Sequence, residues 1–94
     1  MPRAVFNGTV IAETERFETV EGNVYFPPDS VRMDYFTRTD RATVCPWKGT
    51  AAYYSISVDG ETAENAAWTY PEPKEAAANI KDHIAFYPAV TVEP

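Results

Sequence analysis

Short turn signals divide this chain into runs of β-branched and aromatic residues. The positions of these turns limit the possible folds more than any other feature of the sequence. Gly8, Glu21-Gly22 and Asp59-Gly60 each stand between two such runs. Glycine supplies the positive φ that a tight turn requires, and Asp-Gly is a strong hairpin signal. The pattern predicts antiparallel hairpins, and in the first third of the chain it predicts strands over 3–7, 9–13, 17–20 and 23–26.

A central hairpin is predicted around the segment Cys45-Pro46-Trp47-Lys48-Gly49. Its strands cover 41–45 and 50–58, and later strands are predicted over 66–70, 83–87 and, at a sheet edge, 90–93. In the second strand, one alternating set is Tyr54, Ile56 and Val58, and the other is Tyr53, Ser55 and Ser57. This is the period of a half-buried sheet. We expect Val44 to join the first set in the core and Cys45 to share the less apolar face with the second.

Prolines predict two short helices between these strands. One begins after Pro27-Pro28 and ends before Thr37, and the other covers 74–82 after a Pro-Glu-Pro break. His83 follows the second helix, where a cation interacts well with the helix dipole. We therefore predict one domain over 1–94 of the α+β class, mostly β, with a complex antiparallel folded sheet and two short helices.

Charge and cysteine content exclude several classes of function. The net charge is −6, which disfavours nucleic acid and anionic membrane surfaces as partners. Arg32, Arg38 and Arg41 form the only basic cluster, and we expect a solvated surface with surface ion pairs there. One cysteine and one histidine cannot build an internal disulfide or a four-ligand zinc site. We predict no metal and no cofactor, and a cytoplasmic location.

The Cys45–Gly49 segment has the densest chemistry in the chain. Pro46 and Gly49 favour a sharp turn from which Trp47 and Lys48 project. Lys48 is a candidate anchor for an anionic group, with Trp47 as a ring wall. A nearby ammonium also favours the reactive thiolate, so Cys45 is a weak candidate nucleophile or redox thiol. The alternatives are a solvated lysine, a buried cysteine and a purely architectural corner.

Aromatic residues elsewhere are candidates for the wall of a ligand pocket. Trp68 and Tyr70 lie on one face of a predicted strand, and Tyr53 belongs to the strand after the corner. Aromatic rings with polar tips suit ligand walls, but they also occur in cores and interfaces. Tyr25 and Tyr54 are further members of this group.

The order of these motifs resembles an uncharacterised bacterial and fungal family known as domain of unknown function 427, which sometimes has a nucleotidyltransferase-like label. The resemblance rests on Thr43-Val44-Cys45-Pro46-Trp47-Lys48-Gly49-Thr50-Ala51 with Tyr53-Tyr54, on Val5-Phe6-Asn7-Gly8, Ala12-Glu13 and Tyr25-Phe26-Pro27-Pro28, and on Ala67-Trp68-Thr69-Tyr70-Pro71, Pro73 and Ala85-Phe86-Tyr87. It implies a β-tent (Mss4-like) fold, similar to methionine sulfoxide reductase B. The paired Cys-x-x-Cys zinc knuckles of many such proteins are absent here, so the resemblance implies no zinc. The scattered acids give the nucleotidyltransferase label little support.

Three functions remain open from the sequence. The first is a small-molecule domain, enzyme or not, that binds an anionic ligand through Cys45, Trp47, Lys48, Tyr53, Trp68 and Tyr70. The second is an interaction module that forms a homodimer or binds another protein, because an aromatic-rich small chain with edge strands exposes apolar surface. The third is thiol redox chemistry at Cys45.

Overall fold

The computed structural model describes residues 1–94 and consists of strands joined by tight turns and short 3-10 segments. The strands are β1 (Arg3–Phe6), β2 (Thr9–Glu13), β3 (Glu18–Val20), β4 (Asn23–Tyr25), β5 (Phe36–Cys45), β6 (Gly49–Val58), β7 (Glu61–Thr69), β8 (Ile84–Phe86) and β9 (Thr91–Glu93). They form three antiparallel sheets, ordered β2-β1-β9, β3-β4 and β5-β6-β7-β8. The prediction of a mostly-β antiparallel fold is confirmed.

The predicted hairpin turns lie where the sequence signals place them. At the β3–β4 turn, Glu21 has φ 53° and Gly22 has φ 80°, and at the β6–β7 turn Asp59 and Gly60 have φ 49° and 84°. Two successive residues with positive φ are the signature of the type I′ turn, whose twist matches that of paired strands. The strand at residues 91–93 lies at a sheet edge beside β1, as predicted.

The four-stranded sheet is covered on both faces, so the chain has two cores. The first core contains Ala4, Ile11, Ala12, Phe26, Val31, Ile56, Val58, Ala66, Ala67, Ile84, Phe86 and Val90. The second core contains Tyr25, Ala51, Tyr53, Trp68, Tyr70, Ala77, Ile80 and Ala85. Neighbouring residues such as Tyr53 and Tyr54 of β6, and Ala67 and Trp68 of β7, contact opposite cores because successive side chains of a strand point to opposite faces.

The two predicted short helices are 3-10 segments and not α-helices. Residues Pro28–Ser30 and Met33–Tyr35 form separate 3-10 turns, and Phe36 already begins β5. Residues Glu75–Ile80 form a 3-10 segment that is broken at Ala77, whose φ and ψ are −120° and 20°. Apolar residues at helical spacing pack equally well from such short turns, and a short segment gains little from helical hydrogen bonds alone. No helix in the chain has the length and apolar character that a bilayer crossing needs.

Two predictions made from local pattern are also wrong. Val44 is 76% exposed, because it pairs with Thr50 at the end of the hairpin, where neither core extends. His83 follows no α-helix, and its Nδ1 lies 2.9 Å from the carbonyl oxygen of Lys81. The predicted strand over 41–45 is part of a ten-residue strand that begins at Phe36, and the strand over 66–70 extends back to Glu61.

Candidate functional site

The Cys45–Gly49 corner is a tight turn between β5 and β6 that packs against a later segment of chain. Cys45 pairs directly with Gly49, so Pro46, Trp47 and Lys48 form the turn. Gly49 has φ 118°, and a Cβ added there would lie 3.3 Å from the carbonyl oxygen of Glu72. Both the backbone conformation and the close approach therefore require glycine.

The segment that crowds Gly49 covers residues 71–74 and is held to the corner by two hydrogen bonds. The backbone N–H of Lys74 donates to the carbonyl oxygen of Lys48 at 2.8 Å. The Lys74 Nζ donates to the carbonyl oxygen of Pro46 at 2.6 Å. The turn and the 71–74 segment therefore form one continuous wall.

The side chain of Lys48, in the turn, is buried and points away from solvent. The residue is 6% exposed, and its Nζ donates a hydrogen bond to the Oε1 of Glu21 at the tip of the β3–β4 hairpin. The Nζ also lies 5.3 Å from the ring centre of Trp47 and 5.6 Å from that of Tyr70. The ammonium is thus neutralised by a carboxylate of the chain itself and enclosed by aromatic rings.

The ion pair changes the pKa of both of its members. Burial acts to lower the pKa of Lys48, but the hydrogen bond to Glu21 and the nearby Tyr25, Tyr70 and Cys45 act in the opposite direction. The net pKa of Lys48 is raised above its ordinary value of 10.5. The hydrogen bond from Lys48 holds the pKa of Glu21 below its usual 4.5, against a smaller effect of desolvation. Both groups are therefore charged at neutral pH.

The structure brings five of the six predicted site residues to the second core. Tyr53, Trp68 and Tyr70 belong to it, Cys45 is half-buried against it, and Lys48 lies beside Tyr70. The prediction that Cys45 shares a face with Tyr53 is confirmed. The sixth residue, Trp47, is 40% exposed at the tip of the turn.

These side chains pack closely against one another, and polar contacts connect several of them. The Trp68 Nε1 donates to the Tyr25 hydroxyl at 3.2 Å, and the two rings meet edge to face at 6.2 Å. The Trp68 ring also lies 4.7 Å from that of Tyr87. The expected partly polar face is thus a second aromatic core.

Tyr53 is the centre of a small hydroxyl network on this face. Its hydroxyl lies 2.8 Å from the Thr43 Oγ1 and 3.3 Å from the Tyr87 hydroxyl, and the Arg41 guanidinium lies 5.0 Å from its ring centre. Burial acts to raise the pKa of Tyr53, but its hydrogen bonds with Thr43 and Tyr87 and the nearby Arg41 guanidinium make the net shift downward. The hydrogen bond to Tyr53 raises the pKa of Tyr87 to about 12. Tyr53 is therefore the more acidic phenol of the pair.

An open groove lies between β5, the start of β6 and the 71–74 segment, and we call it the hairpin groove. Its volume is about 600 Å³. It is lined by Arg38, Thr39, Asp40, Arg41, Ala42, Gly49, Thr50, Ala51, Ala52, Pro71, Glu72 and Lys74. Of the residues predicted for the site, none lines this groove, although Gly49 of the predicted corner does.

Two residues of the hairpin groove, Arg38 and Arg41, were predicted to lie on a solvated surface and to form surface ion pairs. Neither guanidinium forms a salt bridge, so the predicted ion pairs are wrong. The Arg38 guanidinium lies 5.9 Å from the Tyr54 ring centre, and that of Arg41 lies beside Tyr53. In the sequence, basic and acidic residues lie close together along β5, and nothing in that pattern indicates that Arg38 and Arg41 lack carboxylate partners in the folded chain. Nowhere in the chain do three or more His, Cys, Asp or Glu side chains group as a metal site would require.

Comparison with known proteins gives a family and no function. No curated protein matches this chain. A family profile described as a domain of unknown function, DUF427, matches residues 2–93. The match covers the turn at Pro46–Lys48, the Glu21 pair and every residue of the hairpin groove. The chain therefore belongs to the DUF427 family, as its motifs predicted.

Proposed function

We propose that this chain binds a small anionic molecule in the hairpin groove and holds the negative group with Arg38 and Arg41. The observation that carries the proposal is that both arginines line the groove and neither has a carboxylate partner. Arg38 approaches the edge of the sheet from the Tyr54 side of β6 and Arg41 from the Tyr53 side. Arginine presents a planar fork of donors that matches carboxylate and phosphate oxygens. The groove also has the size of small-molecule sites, which range over roughly 300–1,000 Å³.

The charge of the whole chain makes these two arginines more significant. The net charge is −6, and yet the groove contains three basic residues, Arg38, Arg41 and Lys74, against Asp40 and Glu72. The Lys74 ammonium is already bonded to the Pro46 carbonyl. The arginines therefore supply the donors that a ligand meets.

The Cys45–Gly49 corner serves this function as the wall of the groove. The buried pair of Lys48 and Glu21 holds the turn, and the turn holds the 71–74 segment through the Lys74 bonds. Direct contact between the ligand and the residues predicted for the site stays a prediction; these are Cys45, Trp47, Lys48, Tyr53, Trp68 and Tyr70. In the structure, these side chains do not line a common cavity. The β-tent fold and the cytoplasmic location also stay predictions.

Calorimetric titration with inorganic phosphate, and separately with citrate, tests this proposal. We expect saturable binding of at least one anion to the wild-type chain and about a tenfold or greater loss in the double variant Arg38→Ala/Arg41→Ala, because charged hydrogen bonds are worth roughly 1.5–3 kcal/mol each. Both arginines are exposed, so the variant should fold. Arg16→Ala removes one positive charge from the Thr14–Phe17 loop and is the matched control for each of the single variants Arg38→Ala and Arg41→Ala.

The result that contradicts the proposal is equally definite. If neither anion binds, or if Arg16→Ala weakens binding as much as each single variant does, then the groove is not the site. A uniform effect of all three substitutions would indicate diffuse charge attraction, which added salt also suppresses.

Self-association is the second candidate function, and one observation favours it. Val44 and Trp47 are exposed on the same hairpin, and β5 is an edge strand of the four-stranded sheet, which a second copy of β5 fits in antiparallel pairing. The charged residues of β5 and its irregular register between Arg38 and Ala42 disfavour such pairing. Sedimentation of wild type and Val44→Lys at high concentration tests it: a monomer in both cases removes this candidate.

Thiol redox chemistry at Cys45 stays the third hypothesis. The sulfur is half-buried, and the ammonium that would activate it is bonded to Glu21. The rate of Cys45 alkylation as a function of pH measures its reactivity directly. If the folded chain is alkylated at Cys45 no faster than the urea-unfolded chain at any pH, this hypothesis is wrong.

A further inference from the structure

A second, smaller pocket adjoins the hairpin groove, and we call it the Thr69 pocket. Its volume is about 260 Å³, and it is lined by Pro28, Met33, Arg38, Tyr54, Thr69, Pro71, Asp82 and Ile84. Arg38 and Pro71 line both spaces. One ligand can therefore extend from the groove into the pocket past the Arg38 side chain.

Strand pairing explains why the two spaces adjoin. Ala52 pairs with Thr69, and Thr69 pairs with Ile84, while Arg38 pairs with Tyr54. Directly paired residues of antiparallel strands place their side chains on the same face. The groove residue Ala52 and the pocket residues Arg38, Tyr54, Thr69 and Ile84 thus belong to one face of the four-stranded sheet.

Thr69 contains the polar group that sets this pocket apart. The residue is 3% exposed, and its Oγ1 is the only buried side-chain N or O atom in the chain without a hydrogen-bond partner. A buried hydroxyl without a partner costs free energy, and such a group in a native protein calls for a partner that the chain does not supply. Thr69 lines the pocket, and a change of its side-chain rotamer is the route by which this hydroxyl would reach a molecule bound there.

The other polar residue of the pocket supports the same chemistry. The Asp82 side chain makes no hydrogen bond within the chain and is exposed at the pocket. A carboxylate accepts hydrogen bonds from hydroxyl groups, and a threonine hydroxyl both donates and accepts. Pro28, Met33 and Ile84 add apolar wall. This combination suits a neutral, hydroxyl-bearing carbon skeleton and disfavours a second anionic group, which Asp82 repels.

We propose that the anion of the hairpin groove belongs to a sugar phosphate or a related hydroxylated phosphate, whose hydroxyl groups enter the Thr69 pocket and bond to Thr69 and Asp82. This inference rests on the proposed function, because the phosphate is held by Arg38 and Arg41. A phosphate has enough oxygens for two guanidinium forks, and Arg38 lies at the junction of phosphate and sugar.

Calorimetric titration with three probes tests the inference: D-ribose 5-phosphate, pentyl phosphate and inorganic phosphate. Pentyl phosphate has the same number of carbon atoms as the sugar phosphate and lacks its hydroxyl groups. We expect the wild-type chain to bind ribose 5-phosphate at least tenfold more tightly than pentyl phosphate. Thr69→Val, which replaces the hydroxyl by a methyl group, should reduce that preference by about five- to tenfold, the effect of one hydrogen bond. Thr69→Ser keeps the hydroxyl and should retain the preference.

Thermal unfolding of the same variants separates a ligand contact from a structural effect. Thr69→Val should fold and should melt at or above the wild-type temperature, since it removes an unbonded buried hydroxyl. If the wild-type chain has no preference for ribose 5-phosphate, or if Thr69→Val leaves that preference unchanged, the Thr69 pocket is not a sugar site. The proposed function then still stands, provided that phosphate binding depends on the two arginines. If none of the three probes binds, this inference fails, and the proposed function fails with it when citrate does not bind either.

Discussion

Lys48 and Glu21, which are 27 residues apart in the sequence, form a hydrogen-bonded ion pair that connects the tips of two hairpins. The lysine is buried and the glutamate reaches it from the solvent side. A buried charge that loses its partner is strongly destabilising, whereas replacing both partners by neutral groups is often tolerated. This contrast makes the pair testable.

The first prediction concerns removal of the carboxylate. Glu21→Gln should lower the melting temperature, because the Lys48 ammonium then stays buried without a counter-charge. The double variant Glu21→Gln/Lys48→Met should recover part or all of the loss. Glu15→Gln, at an exposed residue without a side-chain partner, is the matched control and should melt as the wild type does. A double variant that melts below Glu21→Gln would contradict this account of the pair.

The second prediction is the pH dependence that the pair confers. The folded chain lowers the pKa of Glu21, so the contribution of this group to stability is complete above 4.5 and is lost as pH falls through the lowered value. The folded chain raises the pKa of Lys48, so its contribution is complete below 10.5 and is lost as pH rises through the raised value.

Melting curves of wild type and Glu21→Gln over a range of pH provide the measurement. The difference in melting temperature between the two chains should be constant from pH 4.5 to neutral pH. It should shrink at lower pH, where Glu21 of the wild type becomes protonated. A difference that persists unchanged at the lowest pH at which the chain still folds would show that the carboxylate charge is not responsible.

The third prediction concerns Gly49. Gly49→Ala should destabilise the chain by about 1–3 kcal/mol, because φ is 118° and the new methyl group would crowd the Glu72 carbonyl. Gly60→Ala is the control, since φ there is also positive but nothing lies within 4 Å of the added Cβ. Urea unfolding of both variants compares them, and equal losses would show that crowding by the 71–74 segment has no effect. Gly49→Ala should also weaken anion binding, because the wall of the hairpin groove must shift.

The fourth prediction tests the buried contact of Trp68. Tyr25→Phe removes the hydroxyl that accepts the indole N–H and leaves that donor unsatisfied in the second core, at a cost of about 1–3 kcal/mol. For a chain of this size, each kcal/mol lowers the melting temperature by about 4–8 °C. Tyr70→Phe removes a hydroxyl that has no hydrogen-bond partner in the chain, so it should cost less. Equal losses in the two variants would contradict a role for the bond.

Much of the β-structure was predictable because it depends on neighbouring residues. A Glu-Gly or Asp-Gly pair between extended runs determines a hairpin locally, and the turns at Glu21-Gly22 and Asp59-Gly60 confirmed this. The strand period likewise placed Cys45 with Tyr53. The helix predictions failed because apolar spacing does not distinguish an α-helix from consecutive 3-10 turns when a segment is held by tertiary packing.

The sequence singled out the Cys45–Gly49 corner, but it did not indicate the hairpin groove, which none of the residues predicted for the site lines. From the sequence alone, the Cys45–Gly49 corner was a turn with an exposed lysine that could hold an anion. In the folded chain, Lys48 is buried against Glu21, and Gly49 packs closely against the backbone of Glu72 in the groove wall. Both contacts depend on how segments that are distant in the sequence pack together. Arg38 and Arg41 lack salt bridges for the same reason, since the tertiary structure decides which opposite charges come into contact. Local sequence therefore determined the strands and turns, and only the folded chain decided which charges are paired and which face an open groove.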